Sequence, residues 1–185
     1  KTEAYLAMTA FLIFWRRLNH GPAGEGTAVL MRYTLRLLTI QQFQRAAALV
    51  CACELWRQAD ESGRFGQSAI SIGLWVGQSA TPNTCQQAHD AVEKLLQSDP
   101  PENDLFPLPA CPCCGTPVVP PRQARRADYG LTASPRHFAF HCPNPDCAFH
   151  TGLPVQVVDE MFLPFGTKDV DEVLERIAAT KADAI

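Results

Sequence analysis

Apolar and polar residues alternate along the first half of the chain in blocks that predict helices and short strands in turn. A first apolar run predicts a helix over 3–18, and because its apolar residues fall on several faces we expect this helix to be well buried. A loop with flexible glycines at 20–26 separates it from 28–33, a short apolar run typical of a buried parallel strand. A long helix is predicted over 40–60, with Thr39 as its candidate N-cap.

The same alternation continues beyond this helix. The apolar run at 68–76 is a second candidate for a buried strand, and Thr81-Pro-Asn-Thr84 has the composition of a helix start before the helix predicted over 86–97. The order helix, strand, helix, strand, helix favours a parallel sheet covered by helices, which is an α/β fold.

Regular patterning stops over 98–136, a stretch that holds many of the chain's prolines. It returns in a strand-like segment at 153–158 and in a final helix predicted over 169–184, whose first turn is acidic as the helix dipole favours. The α/β pattern is therefore interrupted by an irregular insert.

Length and composition set limits on the function. A chain of 185 residues has room for one domain, or for one domain with a small insert. The net charge of −3 gives no general attraction to nucleic acid, so any site for a polyanion must be local. The apolar run at 4–15 is too short to span a bilayer, and no complete signal-peptide pattern is present. We expect a soluble chain with no membrane contact, truncated at its N-terminus.

The eight cysteines do not have the distribution of a disulfide scaffold. Cys51 and Cys53 lie in an apolar helical stretch, where a free cysteine behaves as a small buried hydrophobe. Four others form two pairs with short spacing, the pattern of an intracellular metal site, which favours a cytoplasmic location.

These two pairs predict a structural zinc ribbon. Short spacing lets two thiolates and the backbone amides of one turn converge on a single ion, and Gly115 suits the sharp turn of the first pair. Four sulfur ligands leave no open position, so the Zn²⁺ is expected to be structural and not catalytic. The assigned ligands are Cys111, Cys114, Cys142 and Cys147.

Three neighbouring residues offer alternatives. Cys113 is a possible substitute ligand, although it lies too close to Cys111 for the usual spacing. His141 and His150 are also possible ligands, but we prefer to interpret them as solvated. A redox role for the segment around Cys113 is disfavoured, since it lacks the strand-then-helix setting of thioredoxin-like sites.

An arginine cluster surrounds the insert, with only Asp128 and Asp146 as opposing charges. Such a cluster is suited to phosphate contacts, and it is equally typical of a solvated loop. Its members are Arg122, Arg125, Arg126 and Arg136.

The chain begins with the segment Lys1-Thr-Glu-Ala-Tyr-Leu-Ala. A second segment covers the end of the first predicted strand and the start of the next predicted helix, and it reads Met31-Arg-Tyr-Thr-Leu-Arg-Leu-Leu-Thr-Ile-Gln-Gln-Phe-Gln-Arg45. Together these segments resemble superfamily 2 helicases, specifically the large helicases of DISARM-type anti-phage defence. Gly73-Leu-Trp-Val-Gly77, the two cysteine pairs and then 152–160 come in the order expected of that family.

The resemblance implies two sets of site residues. Lys1 and Thr2 would end a phosphate-binding loop, the lysine reaching the ATP phosphates and the threonine binding Mg²⁺. Thr34, Arg36 and Gln41 would hold the backbone of nucleic acid, expected to be DNA.

The resemblance also implies the fold and its division. We expect an incomplete RecA-like parallel sheet with flanking helices over 1–105, an inserted four-cysteine zinc ribbon over 106–151, and a return strand with a C-terminal helix over 152–185. The family's phosphate-binding glycines would precede Lys1. Val157-Val-Asp-Glu160 has the composition of its metal-binding motif II, but the resemblance favours a place for that motif further along the chain. The chain is thus expected to be a helicase or translocase fragment that needs the remainder of the helicase for ATP turnover. The alternative is a non-enzymatic zinc-ribbon module that binds nucleic acid or a protein partner through 111–150.

Overall fold

The computed structural model describes residues 2–31, 36–76, 80–103 and 105–158. These residues form three α-helices, two short 3₁₀ turns and four short strands. In chain order the elements are α1 (Thr2–His20), a 3₁₀ turn (Gly21–Gly24), α2 (Arg36–Ala59), β1 (Ile72–Gly73), α3 (Cys85–Gln97), a 3₁₀ turn (Arg126–Asp128), β2 (Leu131–Ser134), β3 (His137–Phe140) and β4 (Val155–Gln156).

The strands form two small sheets within the described residues. Strands β1 and β4 pair in parallel, with Ile72 opposite Val155 and Gly73 opposite Gln156. Strands β2 and β3 form an antiparallel hairpin inside the predicted insert. The parallel pair with its helices confirms the α/β prediction in its coarse form, although the described strands are too few for a complete RecA-like sheet.

Among the described residues helix α1 is buried on one face only, so these residues do not bury it as fully as the sequence predicts. One face turns inward through Leu6, Thr9, Ile13 and Arg17. The opposite face carries large apolar side chains that remain in contact with water, including Phe11, which is 64% exposed. None of the described helices has the length and apolar character needed to cross a membrane.

Helix α2 begins at Arg36, four residues before its predicted start, so Thr39 lies inside the helix and is not its N-cap. Arginine and leucine are strong helix formers, and each residue added to a helix gains a backbone hydrogen bond, which explains the earlier start. Cys51 and Cys53 are 1% and 4% exposed, which confirms that both are small buried hydrophobes.

The strand predicted over 68–76 is ordered as β1 only at Ile72–Gly73. Side chains satisfy the backbone just before it. The Arg17 guanidinium donates to the carbonyl oxygens of Ser68 and Ala69, and the Glu54 carboxylate accepts from the Ile70 N–H at 2.7 Å. With these groups already bonded, the segment needs no ladder partner.

Helix α3 begins at Cys85, one residue before its predicted start and directly after the predicted helix entry at 81–84. Thr84 is its N-cap, and its hydroxyl accepts from the Gln87 N–H at 3.1 Å while the Gln87 side chain accepts from the Thr84 N–H. Of the other predicted strands, 28–33 is described only to Met31, with one β-bridge at Val29, and 153–158 is ordered as a strand only at Val155–Gln156, which is β4. The helix predicted over 169–184 lies outside the described residues.

The predicted insert shares its core with the helices. Phe106 stacks on Phe138 with ring centroids 5.2 Å apart, and Phe138 meets Phe140 edge to face at 5.1 Å. These rings belong to the same buried cluster as Val50 of α2 and Val92 of α3. The hairpin therefore rests on the helices and is not an independent lobe.

Candidate metal centre

The first cysteine pair lies in a tight turn held by backbone hydrogen bonds. The Gly115 N–H donates to the Cys111 carbonyl at 2.9 Å, and the Cys111 N–H donates to the Thr116 carbonyl at 2.8 Å. Gly115 has φ of +76°, a left-handed conformation that other residues adopt only with strain. The turn brings the side chains of Cys111 and Cys114 to the same side.

The second pair is held by a similar turn. The Cys147 N–H donates to the Asn144 carbonyl at 3.1 Å, and the Asn144 side chain accepts from the Asp146 N–H at 3.0 Å. The Cys142 N–H donates to the Phe149 carbonyl at 2.9 Å, which closes the loop. Local backbone bonding therefore fixes both thiols of this pair.

The two turns face each other and bring four sulfur atoms within 4.8 Å of one another. The Cys111 and Cys147 sulfurs are 3.9 Å apart, and those of Cys114 and Cys142 are 3.4 Å apart. A tetrahedral ion with Zn–S bonds of about 2.3 Å requires sulfur separations of about 3.8 Å. The thiols thus fit a four-sulfur metal site without rearrangement of the backbone.

Burial and hydrogen bonding make these thiols unequal. The Thr116 hydroxyl and N–H donate to the Cys114 sulfur and lower its pKa to about 6, which favours the thiolate that a metal ion binds. Burial raises the pKa of Cys111 and of Cys142, so both hold their protons until a cation replaces them. The cysteine spacing alone did not identify this contact of Thr116 with Cys114.

The alternative ligands lie outside this group. Cys113 is exposed on the rim of the first turn. The His150 Nδ1–H donates to the Cys142 carbonyl at 2.8 Å, and the His141 Nδ1 lies 3.3 Å from the Thr132 hydroxyl. The histidines thus support the second turn and the hairpin and do not join the four sulfurs.

Carboxylates neutralise part of the arginine cluster. Arg125 pairs with Asp128 at 3.2 Å, and Arg126 pairs with Glu93 of α3 at 2.8 Å. The second pair joins residues 33 positions apart, so the sequence did not reveal it. Arg122 and Arg136 remain exposed on the insert.

The residues that the resemblance implies for ATP and nucleic acid lie partly outside the described structure. Thr2 is the first residue of α1, Arg36 is the first residue of α2, and Gln41 is exposed on α2. The side chain of Arg36 lies outside the described part of the chain, as do Lys1 and Thr34 entirely.

Another polar group lies beyond the end of β1. Thr81 is fully buried, and within the described part of the chain its hydroxyl has no hydrogen-bond partner. The carboxyl ends of parallel strands are where α/β sheets bind ligands, which makes this loop a candidate that sequence reasoning missed.

Comparison with known proteins adds one relative. The chain is 36% identical over 177 aligned residues to the DISARM protein DrmA of Bacillus paralicheniformis. The alignment covers 86% of this chain but only 15% of that relative, so the chain spans a small part of the relative's length. No family model matches the chain.

Proposed function

We propose that this chain is part of a DISARM-type anti-phage defence protein, an ATP-dependent nucleic-acid helicase or translocase whose first motor domain carries a structural zinc. The observation that carries the proposal is the 36% identity to a DISARM DrmA protein along 86% of the chain. The coverage of 15% of that relative is consistent with a fragment of a longer polypeptide.

The metal in this proposal is Zn²⁺, bound by Cys111, Cys114, Cys142 and Cys147. Four sulfurs at these separations suit tetrahedral zinc, and a full set of protein ligands leaves no site for a substrate. When bound, the ion would cross-link the two turns. Cysteines that stay reduced, without disulfides, are typical of a reducing compartment, which supports a cytoplasmic location.

The motor function rests on the resemblance, and the helix positions support it. Thr2 stands at the N-terminus of a 19-residue helix, where free backbone N–H groups and the helix dipole favour phosphate. Glu3 pairs with Arg45 of α2, so the start of α1 lies beside α2. Gln41 precedes Arg45 by one turn, about 6 Å along the helix axis. ATP with Mg²⁺ near Lys1 and Thr2 would thus lie close to DNA held by Arg36 and Gln41.

The intact polypeptide tests the motor proposal. We expect it to hydrolyse ATP when DNA is added, and we expect residues 1–185 alone to show no turnover, since phosphoryl transfer needs a complete phosphate cradle and an acid that holds Mg²⁺. Lys1→Ala should lower kcat by about 10²-fold or more, the usual effect of removing one group that stabilises the transition state. Lys94→Ala, on the exposed side of α3, is the matched control. Unchanged turnover in Lys1→Ala would contradict the proposal.

The second candidate is a zinc-ribbon module that binds nucleic acid without ATP, and the exposure of Arg122 and Arg136 favours it. Deletion of the helices would not be a clean test, because the insert shares their core. Arginine substitutions separate the two functions. If the motor domain holds the DNA, Arg36→Ala should weaken DNA binding more than the double variant Arg122→Ala and Arg136→Ala. A larger loss of DNA binding in the double variant favours the ribbon module.

A further inference from the structure

Helix α1 has a second apolar face that nothing in the described chain covers. Its members follow one another at spacings of four, three, four and three residues, and all are exposed. Met8, Phe11 and Leu18 are 59%, 64% and 52% exposed. This outer stripe consists of Ala4, Met8, Phe11, Trp15 and Leu18.

The outer stripe borders a groove of about 470 Å³ between α1 and α2. Phe14 forms its floor and meets Phe65 and Trp56 edge to face, at centroid distances of 4.7 and 5.3 Å. Trp56 forms the far wall and remains 65% exposed. The lining is almost wholly apolar, with Leu49 and Ala52 completing it from α2.

Single exposed apolar residues are normal on a protein surface, but a contiguous patch of this size is not. An aromatic side chain buries about 150–250 Å² when it is fully covered. On that scale the exposed surface area of the outer stripe and Trp56 together is on the order of 800 Å². That is the area that one partner contributes to a standard protein interface. The surface is therefore large enough for a stable contact.

The spacing of the residues in the outer stripe indicates that the partner is a helix. Alternation of three and four residues produces a straight seam along a helix, which is the arrangement by which one helix packs against another. From Ala4 to Leu18 the seam is about 21 Å long, which corresponds to four turns of a partner helix. An apolar side chain of that partner would enter the groove beside Trp56.

We propose that this groove binds an amphipathic helix from the part of the longer polypeptide outside residues 1–185. The inference rests on the proposed function, in which the chain is a piece of a longer DrmA-like protein. The alignment covers only 15% of the relative, so most of such a polypeptide lies outside this segment and is available to cover the seam. The seam is then an internal joint of the protein and not a site for a separate ligand.

Oxidative footprinting tests the joint without any substitution. Hydroxyl radicals modify exposed methionine and tryptophan, and mass spectrometry gives the rates at Met8, Trp15 and Trp56. The rates are measured in the intact polypeptide and in residues 1–185 alone, against a free peptide added as an internal standard. In the intact polypeptide we expect them to fall roughly fivefold or more at every protein concentration, because interface cores exclude water.

Other outcomes overturn the proposal in distinguishable ways. Equal rates in both samples would show that nothing outside residues 1–185 covers the groove, which overturns this proposal while the helicase proposal survives. Protection in residues 1–185 alone, rising with concentration together with a dimeric mass, would assign the groove to a second copy. A natural product of only 185 residues, seen by immunoblot, would remove both this joint and the fragment proposal.

A substitution locates the protection on the outer stripe. Phe11→Glu in the intact polypeptide should return the Met8 rate to that of the isolated chain, since a charge in an apolar seam is costly. Leu30→Glu is the matched control, because Leu30 is 50% exposed and does not line the groove. Protection that persists in Phe11→Glu would contradict the proposal, provided that the zinc content is unchanged.

Discussion

The sulfur atoms of Cys114 and Cys142 lie 3.4 Å apart although 28 positions separate them along the chain. Between them the chain forms the β2–β3 hairpin and returns to the second turn. Backbone hydrogen bonds hold each turn locally, and the Gly130 N–H, which donates to the Val118 carbonyl while the Gly130 carbonyl accepts from the His141 N–H, connects the segments beside them. A metal ion at this point would join both ends of the insert.

The first prediction is one tightly bound zinc per chain, lost when a buried ligand is removed. Cys142→Ser should retain little metal, and its free energy of unfolding should fall by about 4 kcal/mol or more, the linkage value when free zinc is a thousand times its Kd. Mass spectrometry of the metal and urea unfolding measure the two effects. Cys113→Ser is the control, because Cys113 is exposed and outside the four-sulfur group. Zinc bound normally by Cys142→Ser would refute the ligand assignment.

The second prediction concerns Arg17, which is 1% exposed. Its guanidinium donates to the Phe65 and Ser68 carbonyls at 2.8 and 2.7 Å and so attaches the chain before β1 to α1. Arg17→Met should leave those carbonyls unbonded and cost about 3 kcal/mol or more in urea unfolding. Arg64→Met removes a guanidinium whose side chain is 64% exposed from its ion pair with Asp60, and it should cost less than about 1 kcal/mol. Equal losses in the two variants would contradict this role of Arg17.

The sequence predicted those features that depend on near neighbours. The cysteine spacing identified the four thiols because each pair is closed within one turn, and Thr81-Pro-Asn-Thr84 indicated the start of α3 to within one residue because the capping contacts there are local. The bonds of Arg17 span 48 to 52 positions, and no local pattern indicates them. The outer stripe of α1 predicted burial that the described residues do not provide, since an apolar face looks the same in sequence whichever part of the protein covers it.

The third prediction is that Glu54 contributes stability that is lost in acid. Burial opposes its charge, but hydrogen bonds from Arg57, the Ile70 N–H and Gln58 outweigh that effect and hold its pKa below the ordinary 4.5. A lowered pKa in the folded state means that the contribution is complete above about 4.5 and declines as the pH falls toward the folded value. Glu54→Gln should therefore cost about 1–3 kcal/mol at pH 7. The difference from the wild-type protein should shrink below pH 4.5.

Acid also protonates the metal ligands, but the wild-type protein and Glu54→Gln have the same ligands. Comparing their free energies of unfolding at each pH therefore removes that effect. Urea unfolding in saturating zinc from pH 7 down to 4 measures the difference. Glu61→Gln, an exposed carboxylate nearby, should follow the wild-type curve. A difference that stays constant across this range would show that Glu54 acts through its shape and not through its charge.

The last prediction is that the insert and the helices unfold together, because Phe138 and Phe140 share one core with α2 and α3. Phe140 is fully buried, and Phe140→Ala should cost about 3–5 kcal/mol. Phe11→Ala removes the same ring from an exposed position and should change the stability of residues 1–185 by less than about 0.5 kcal/mol.

Two probes distinguish a shared core from a separate ribbon. All three tryptophans lie outside the insert, so their fluorescence follows the helices and the end of β1, whereas release of zinc to a coloured chelator follows the cysteine turns. In Phe140→Ala both midpoints should move together to lower urea, since loss of ring contacts weakens the common core. If zinc were released early while the tryptophan transition kept its wild-type midpoint, the insert would be an independent unit. Deleting the helices would then be a legitimate way to isolate a zinc-ribbon module.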